Sequence, residues 1–413
     1  MSETADIVII GAGIIGMSAA LQLARRTTAK IIVLEKGSGP GEGSTGASSA
    51  VCRYKYTRPE MVRLAKDGIN AYQNWPEFLG IKAPVARFHR HGVLWMADGR
   101  MDWPDEEAER LASFGIRTAV LDDQSVRERF PALNPCVVPP DLVTGEPHEC
   151  RGGGRHLLEL DGGYIDPMDS LADLVAAARH HGVDVRFRSA AAGIAVENGK
   201  VRGVTLTTGD RIACDALVCA AGPWCNAVFA LAGLNSPWPL KPTRIQIVHI
   251  DRPPDVAGDI PVCVDIGGGI YFRTQNRGQQ IIVGSVREED EKECVEDPDD
   301  YPNYLDDDFA QKIVHALHHR IPGLNYRGAV RGYAGLYTVN RSDVHPIVGK
   351  TPLAGFYVAN GFSGHGFKLA PAIGSLIAQE IAGPSASFDT SVDREFLAFD
   401  RHPIEIETKS VLA

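Results

Sequence analysis

The chain lacks a C-x-x-C pair, a long basic run, an internal repeat, and any apolar stretch of membrane length unbroken by glycine. Each absence excludes a class of protein. The eight cysteines, at 52, 136, 150, 214, 219, 225, 263 and 294, are scattered. Such spacing fits neither a disulfide framework nor a zinc ribbon and reads as the reduced thiols of a cytoplasmic protein. His148 and Cys150 make half a metal site, but nothing in the sequence supplies the other ligands, so no metal is expected. A net charge of −10 without a basic patch argues against nucleic acid as a partner. The one stretch that imitates a signal peptide or a membrane span, IVIIGAGIIGMSAALQLA, follows Glu3 and Asp6 rather than a basic region. Three glycines interrupt it, so no membrane span is expected.

What is present suffices for a large core: 413 residues, 44% of them hydrophobic, a length that suits about two or three domains. Near the start, Ile7 to Ile10 reads as a buried strand, followed by a tight turn and a helix. Gly11, Gly13 and Gly16 have the G-x-G-x-x-G spacing that permits the turn, the approach of backbone to a pyrophosphate, and close helix–strand packing. The helix N-terminus at Ile14 and Ile15 presents unpaired N–H groups to phosphate. A second strand, KIIVLE, ends at Glu35 beside Lys36, nineteen residues after Gly16. A carboxylate there accepts hydrogen bonds from ribose hydroxyls and repels a 2′-phosphate, which fits FAD or NAD and not NADP.

The loop GSGPGEGSTGASSA follows, in which Ser44, Thr45, Ser48 and Ser49 can donate to phosphate or cap a helix; a solvated flexible loop is the lesser alternative. A helix is expected next, with Thr57 and Glu60 at capping-box spacing, Pro59 in the first turn, and a buried face of Met61, Leu64, Ala65, Gly68, Tyr72 and Trp75. Another is expected after Asp166 as its cap, with Pro167 first and Gly182 as its stop. Two short strands around Asn198-Gly199 form a hairpin signal, and a further turn leads into the apolar strand ALVCAAG, with Ala221, Gly222 and Trp224 at its mouth. A β-meander inserted in a nucleotide-binding fold suits flavoproteins better than NAD dehydrogenases.

The fold class expected is therefore α/β plus antiparallel β. A Rossmann-like FAD-binding domain with a meander is assembled from residues 1–83, 156–239 and 334–383. A second, largely antiparallel substrate domain takes 84–155 and 240–333, and 384–413 forms a C-terminal tail that is either a docking segment or a strap.

One stretch remains unexplained by this layout. GFSGHGFKLAPAIG places Gly361, Gly364 and Gly366 just before a helix, where backbone must come close to something. In their order along the chain, IVIIGAGIIG, GSTGASSA with Arg53 after it, DGGYIDP, ALVCAAGPW, GLYTVNRSDVHPIVG and GFSGHGFK resemble the FAD-dependent D-amino acid oxidase superfamily. The similarity is greatest to its sarcosine oxidase, glycine oxidase and dimethylglycine dehydrogenase branch and spans nearly the whole chain. The resemblance implies that this loop lies against the pyrimidine side of a flavin. Negative charge develops there on reduction, and the backbone N–H groups from Gly364 through His365, Gly366 and Phe367 to Lys368 are placed to stabilise it.

The resemblance also implies that Arg53 and Lys368 clamp a substrate carboxylate, with His365 and Tyr337 lining the same pocket. Phe272 falls where the family often has an aromatic, although ordinary packing is the better reading of it. His365 is the candidate nearest the chemistry. Where the family's covalent forms carry a cysteine this chain has Gly335, so FAD is expected to be non-covalent. Where they carry an oxygen-activating lysine it has Ile282 or Val283, which favours a dehydrogenase passing electrons to a carrier other than oxygen. The usual Thr-Pro-Asp is replaced by Arg341-Ser342-Asp343 with one extra residue. The expected reaction is oxidation of the C–N bond of a small amino acid or N-methyl amino acid to an imine that water hydrolyses. The alternatives are a 2-hydroxyacid dehydrogenase, which would need a base such as His365, and a flavin-bearing subunit or assembly factor of a larger complex.

Overall fold

The computed structural model describes residues 3–97, 103–324, 329–385, 387–406 and 412. Its first sheet grows from the apolar runs. Ile7–Ile10, Ile31–Leu34 and Ala216–Cys219 lie side by side and parallel, almost wholly buried. Continuous apolar strands of this kind need cover on both faces. Ile7, Ile9, Ile31 and Val33 turn toward helices, while Val8, Ile10, Ile32 and Leu34 turn toward a second layer. Phe356–Asn360 extends the sheet in parallel and Ile347–Lys350 closes that edge antiparallel; Asp184–Arg186 forms the other edge. The helices Ile14–Ala24, Pro167–His180 and Gly366–Ala382 pack on the first face.

The second layer is the expected meander. Ala191–Glu197, Lys200–Leu206 and Arg211–Ala213 pair in sequence, and Glu3–Thr4 adds a fourth strand. Asn198 and Gly199 both have positive φ, 51° and 73°, the type I′ geometry that matches strand twist.

The antiparallel part is an eight-stranded sheet. Its order runs from Arg331–Asn340 through Leu240–Asp251, Gln280–Ser285, Ile270–Gln275, Val262–Asp265, Val93–Met96 and Arg155–Glu159 to Thr118–Asp122. One face is covered by the helix Asp307–Arg320 in a core with Phe272, Val283 and Leu317; the other, carrying Trp95, Tyr271 and Ile282, joins the main core.

Two expected boundaries cut strands. Arg331–Asn340 pairs along its whole length with Leu240–Asp251, so the GLYTVN motif belongs to the antiparallel sheet rather than to a segment starting at 334. Arg155–Glu159 likewise pairs on both sides within that sheet, so 156 is not a break. The expected capping box is absent as well. The helix Pro59–Gln73 takes Arg58 as its N-cap, with no side-chain cap bond. A residue before proline is held extended, which puts the cap at Arg58 and leaves Thr57 one position too early. The cap at Asp166 is as expected, accepting from the N–H groups of Met168 and Asp169.

Of the tail, 386, 407–411 and 413 lie outside the described residues. The rest is a strap. The Phe399 carbonyl accepts from Trp238 Nε1 at 2.6 Å, Arg401 pairs with buried Asp343, and Asp389 pairs with Arg26. Asp343, in the variant Arg341-Ser342-Asp343 segment, therefore serves as the anchor of the C-terminal segment. Among the described residues no helix is long and apolar enough to cross a membrane.

Candidate active site

The glycine turn after the first strand is tight. Gly11 has φ +109°, and a Cβ there would stand 2.4 Å from the carbonyl oxygen of Ala220, just past the end of the neighbouring strand. Glu35 braces this turn: its Oε2 accepts from Ala12 N at 2.9 Å and its Oε1 from Gly37 N at 2.8 Å. A carboxylate has lone pairs to spare for a ribose hydroxyl besides these two bonds. Thr45 Oγ1 accepts from Ile14 N at 3.1 Å, at the mouth of the Ile14–Ala24 helix that also carries Ile15 and Gly16. Ser44 donates to the Leu336 carbonyl at 2.5 Å, Ser48 Oγ accepts from Ala50 N at 3.0 Å, and the Ser49 carbonyl accepts from Arg273 Nε at 2.6 Å. The 44–49 segment is thus fixed to the antiparallel sheet rather than loose. Lys36 lies 3.9 Å over the Trp224 ring, and both side chains contact Asp299. Gly222 is joined to Gly361 through Asn360, which donates to the Gly222 carbonyl and accepts from Gly361 N.

The loop before the last helix has an unusual backbone. Gly361, Ser363 and Gly364 all have positive φ, at 75°, 48° and 86°. For Ser363 this costs about 1–2 kcal/mol, and bonds to the adjacent strand hold it: its N–H donates to the Thr338 carbonyl at 2.9 Å and its Oγ accepts from Asn340 N at 3.0 Å. The helix Gly366–Ala382 then starts at N-cap His365 with no side-chain cap bond. Its first-turn N–H groups, at Gly366, Phe367 and Lys368, have no helical acceptor and are donors for a ligand.

Three of the expected residues meet on Tyr56, which the sequence reading did not single out. The Arg53 guanidinium lies 4.2 Å from the centre of its ring and Lys368 Nζ 5.9 Å; its hydroxyl is 3.2 Å from His365 Nδ1. Arg53, Lys368 and His365 are all buried. Burial, and then the Arg53 charge, lower the Lys368 ammonium to about 7. Burial first, then Lys368 and Arg53, hold His365 well below the ordinary histidine value, so its ring is neutral. Among the described residues Lys368 Nζ has no hydrogen-bond acceptor. Glu159, fully buried, fixes the segment beneath by accepting from Tyr54 N, Lys55 N and Trp95 Nε1 at 2.7 to 2.9 Å. Burial raises its carboxyl against those bonds. Neither Tyr56 nor Glu159 carries a motif, although the basic–aromatic alternation Arg53-Tyr54-Lys55-Tyr56 is a signal that could have been followed.

Tyr337 sits in a second group. It lies near Tyr271 and Tyr333, and burial raises all three phenols. Phe272 is not at this face. Alternation along Ile270–Gln275 sends it into the core under the Asp307–Arg320 helix, while Tyr271 and Arg273 face the other way. Packing, not substrate contact, accounts for Phe272. The half-site at His148 and Cys150 also comes out differently: folding brings Cys136 and His319 to them.

The chain matches the family described as FAD dependent oxidoreductase, DAO, over residues 6–380. It belongs to that family. Its relatives include FAD-dependent oxidoreductase domain-containing protein 1 of Xenopus laevis, 27% identical over 92% of this chain and 79% of the relative. Mitochondrial dimethylglycine dehydrogenase of Homo sapiens is 26% identical over 94% of this chain and 43% of its own length. Among solved structures, L-proline dehydrogenase from P. horikoshii superposes with a TM-score of 0.80 at 23% identity, covering 97% of this chain and 98% of that one. Glycine oxidase from Geobacillus kaustophilus gives 0.76 at 19%, covering 97% and 100%. The protein is an FAD-dependent oxidoreductase. Its residues fit the cofactor: the Gly11 turn that a Cβ would close, Glu35 at the end of the second strand, and two helix N-termini, at Ile14 and Gly366, without capping side chains of their own.

Proposed function

We propose that this protein oxidises the C–N bond beside the carboxylate of a small amino acid or N-methyl amino acid. The observation that carries the reading is the convergence of Arg53 and Lys368 on the ring of Tyr56, both buried, with neutral His365 on the Tyr56 hydroxyl. Two desolvated cations side by side repel each other, and an anion between them would relieve that repulsion. A carboxylate held by both gains charge-assisted hydrogen bonds and a fixed orientation.

Bound FAD would supply the acceptor for a hydride from the carbon beside the nitrogen. This chain's residues prepare the substrate. Arg53 and protonated Lys368 bind the carboxylate. In the tautomer where His365 Nδ1–H donates to the Tyr56 oxygen, Nε2 keeps a lone pair that can accept a hydrogen bond from the N–H of a substrate bound as the neutral amine. The first-turn N–H groups at Gly366 to Lys368 offer fixed donors for developing negative charge. Ile282 and Val283, both buried and apolar, put no cation on that strand, which supports an electron carrier other than oxygen as acceptor. Tyr337, with Tyr271, would line the far wall of the pocket.

The test is anaerobic bleaching of the purified yellow protein by sarcosine, dimethylglycine, proline, glycine and D-amino acids, beside 2-hydroxyacids. Bleaching by an amine, with slow recovery in air, is the expected outcome. Bleaching by hydroxyacids alone would overturn it.

A further inference from the structure

Between the end of the short helix Asp123–Arg129 and the strand Arg155–Glu159, residues 130–154 contain no helix or strand. Irregular connections of that length within a compact domain are uncommon and need something to hold them. This one carries Cys136, His148 and Cys150, and it lies against the end of the helix Asp307–Arg320, where His319 is the last residue but one. One ligand-type atom from each of the four lies within 4.8 Å of every other. We propose that Cys136, His148, Cys150 and His319 form a structural zinc site that pins the 130–154 loop to this helix.

The geometry is near that of a metal centre. Zn–N bonds of about 2.0–2.1 Å and Zn–S bonds of about 2.3 Å put tetrahedral ligand atoms roughly 3.3–3.8 Å apart. Cys136 Sγ and His148 Nε2 already stand 3.4 Å apart, and the His148 and His319 rings are 4.9 Å apart at 64°. No pair of ligand atoms has to close by more than about 1 Å to reach that spacing. Among the described residues both buried ring nitrogens of His319 have no hydrogen-bond partner, an arrangement that is costly unless one of them binds something.

The surroundings hold the ligands in place. Asn134 Nδ2 donates to the His319 carbonyl at 3.0 Å and reaches Cys150 Sγ at 3.4 Å, while its Oδ1 accepts from Cys136 N at 3.2 Å. Arg320, paired with buried Asp265, donates to the Cys136 carbonyl at 2.5 Å. Hydrogen bonds to the backbone and side chains of the ligand residues orient them for a metal. On binding, the two thiols lose their protons to solvent, two S–Zn and two N–Zn bonds form, and the ion's charge is cancelled by two thiolates. No net charge is added beside the Arg320–Asp265 pair. Four protein ligands leave no open position, so the site is structural, and the soft S/N set selects zinc over magnesium or calcium.

The full chain, purified with its flavin and without added chelator, is analysed for metal and for FAD. One zinc per chain is expected. Cys150→Ser, at an exposed position, and His319→Asn should each reduce it to a small fraction, while the FAD-to-protein ratio stays at the wild-type value. Cys294→Ser, an exposed thiol outside the cluster, should keep the zinc. Cobalt(II) in place of zinc should give the thiolate charge-transfer and intense visible bands of a tetrahedral site. The proposal fails if the protein is zinc-free and takes up none from micromolar zinc, if the two variants keep their zinc, or if peptide mapping under non-reducing conditions finds Cys136 and Cys150 joined as a disulfide.

Discussion

The Tyr72 hydroxyl donates a hydrogen bond of 2.8 Å to the backbone carbonyl of Phe367. In a regular helix that carbonyl would serve the N–H four residues later, but that residue is Pro371, which has none. The Tyr72 ring also stacks on Phe367, with centroids 5.5 Å apart and planes at 9°. The helix Pro59–Gln73 thus repairs a break in the helix that presents His365 and Lys368, and fixes its first turn. Tyr72→Phe would leave the carbonyl buried without a donor, at a cost of about 1–3 kcal/mol. Thermal unfolding should show that loss, with a lower FAD-to-protein ratio. Pro371→Ala in the Tyr72→Phe background restores an N–H and should recover part of it; an equal loss in the double variant would refute the account.

Lys368 gives the site a pH dependence. Burial and Arg53 hold its ammonium at about 7, against an ordinary lysine value of 10.5. Above pH 7 the ligand-free protein loses the cation that a carboxylate needs. The dissociation constant of a non-oxidisable carboxylate such as acetate, read from the flavin spectrum, should therefore rise about tenfold per pH unit above 7. Lys368→Met should flatten that slope and weaken binding about 10- to 100-fold at pH 6. The same shift acts on folding. Between pH 7 and 10.5 the unfolded chain holds a proton that the folded one has released, so this group makes the ligand-free protein more stable as pH rises through that window. A carboxylate affinity independent of pH would exclude Lys368 from the clamp.

Much of the architecture was legible because it is written in local periodicity. The runs at 7–10, 31–34 and 216–219 can only be covered strands, and Asn198-Gly199 demands its turn. The site was legible in part, where Gly364, His365 and Lys368 share one motif. Tyr56 and Glu159 were hidden because their roles come from burial and from contacts more than a hundred residues apart in sequence. Phe272 was open to two readings, and the alternation of its strand, which sends it into the core, agrees with packing. Of the cluster between Cys136 and His319 only the His148–Cys150 half was legible, since 183 positions separate its ends and only the packing of a helix against a loop joins them.

Arg320 and Asp265 form a pair with both side chains almost fully buried, and the Asp265 carboxylate also accepts from Gly268 N at 2.9 Å. Removing one partner leaves the other charge buried alone. Asp265→Asn should cost about 3–5 kcal/mol in urea unfolding. Arg320→Met in that background should recover part of the loss, because the stranded charge goes with it. If the double variant is no better than Asp265→Asn, the cost is not that of an unpaired charge.

Gly335 bears on how the flavin is held. It lies between Tyr333 and Tyr337 on the strand Arg331–Asn340, and a Cβ placed on it would stand 2.5 Å from the Ala47 Cβ. Tyr333 donates to the Ala47 carbonyl at 3.0 Å, and Ser44 to the Leu336 carbonyl, so the serine-rich 44–49 segment rests directly on this strand. As a glycine, residue 335 offers no side chain to bond a flavin. Acid precipitation of the wild-type protein should release all of its FAD to the supernatant. Gly335→Ala should push the 44–49 segment away from its strand. Because Thr45 on that segment accepts the Ile14 N–H at the helix mouth, the displacement should reach the phosphate end of the site. FAD should then bind at least about tenfold more weakly, if a single hydrogen bond worth roughly 1.4 kcal/mol is lost. Unchanged FAD affinity in Gly335→Ala would mean that the segment shifts without consequence and that its seat on the strand does not position the cofactor.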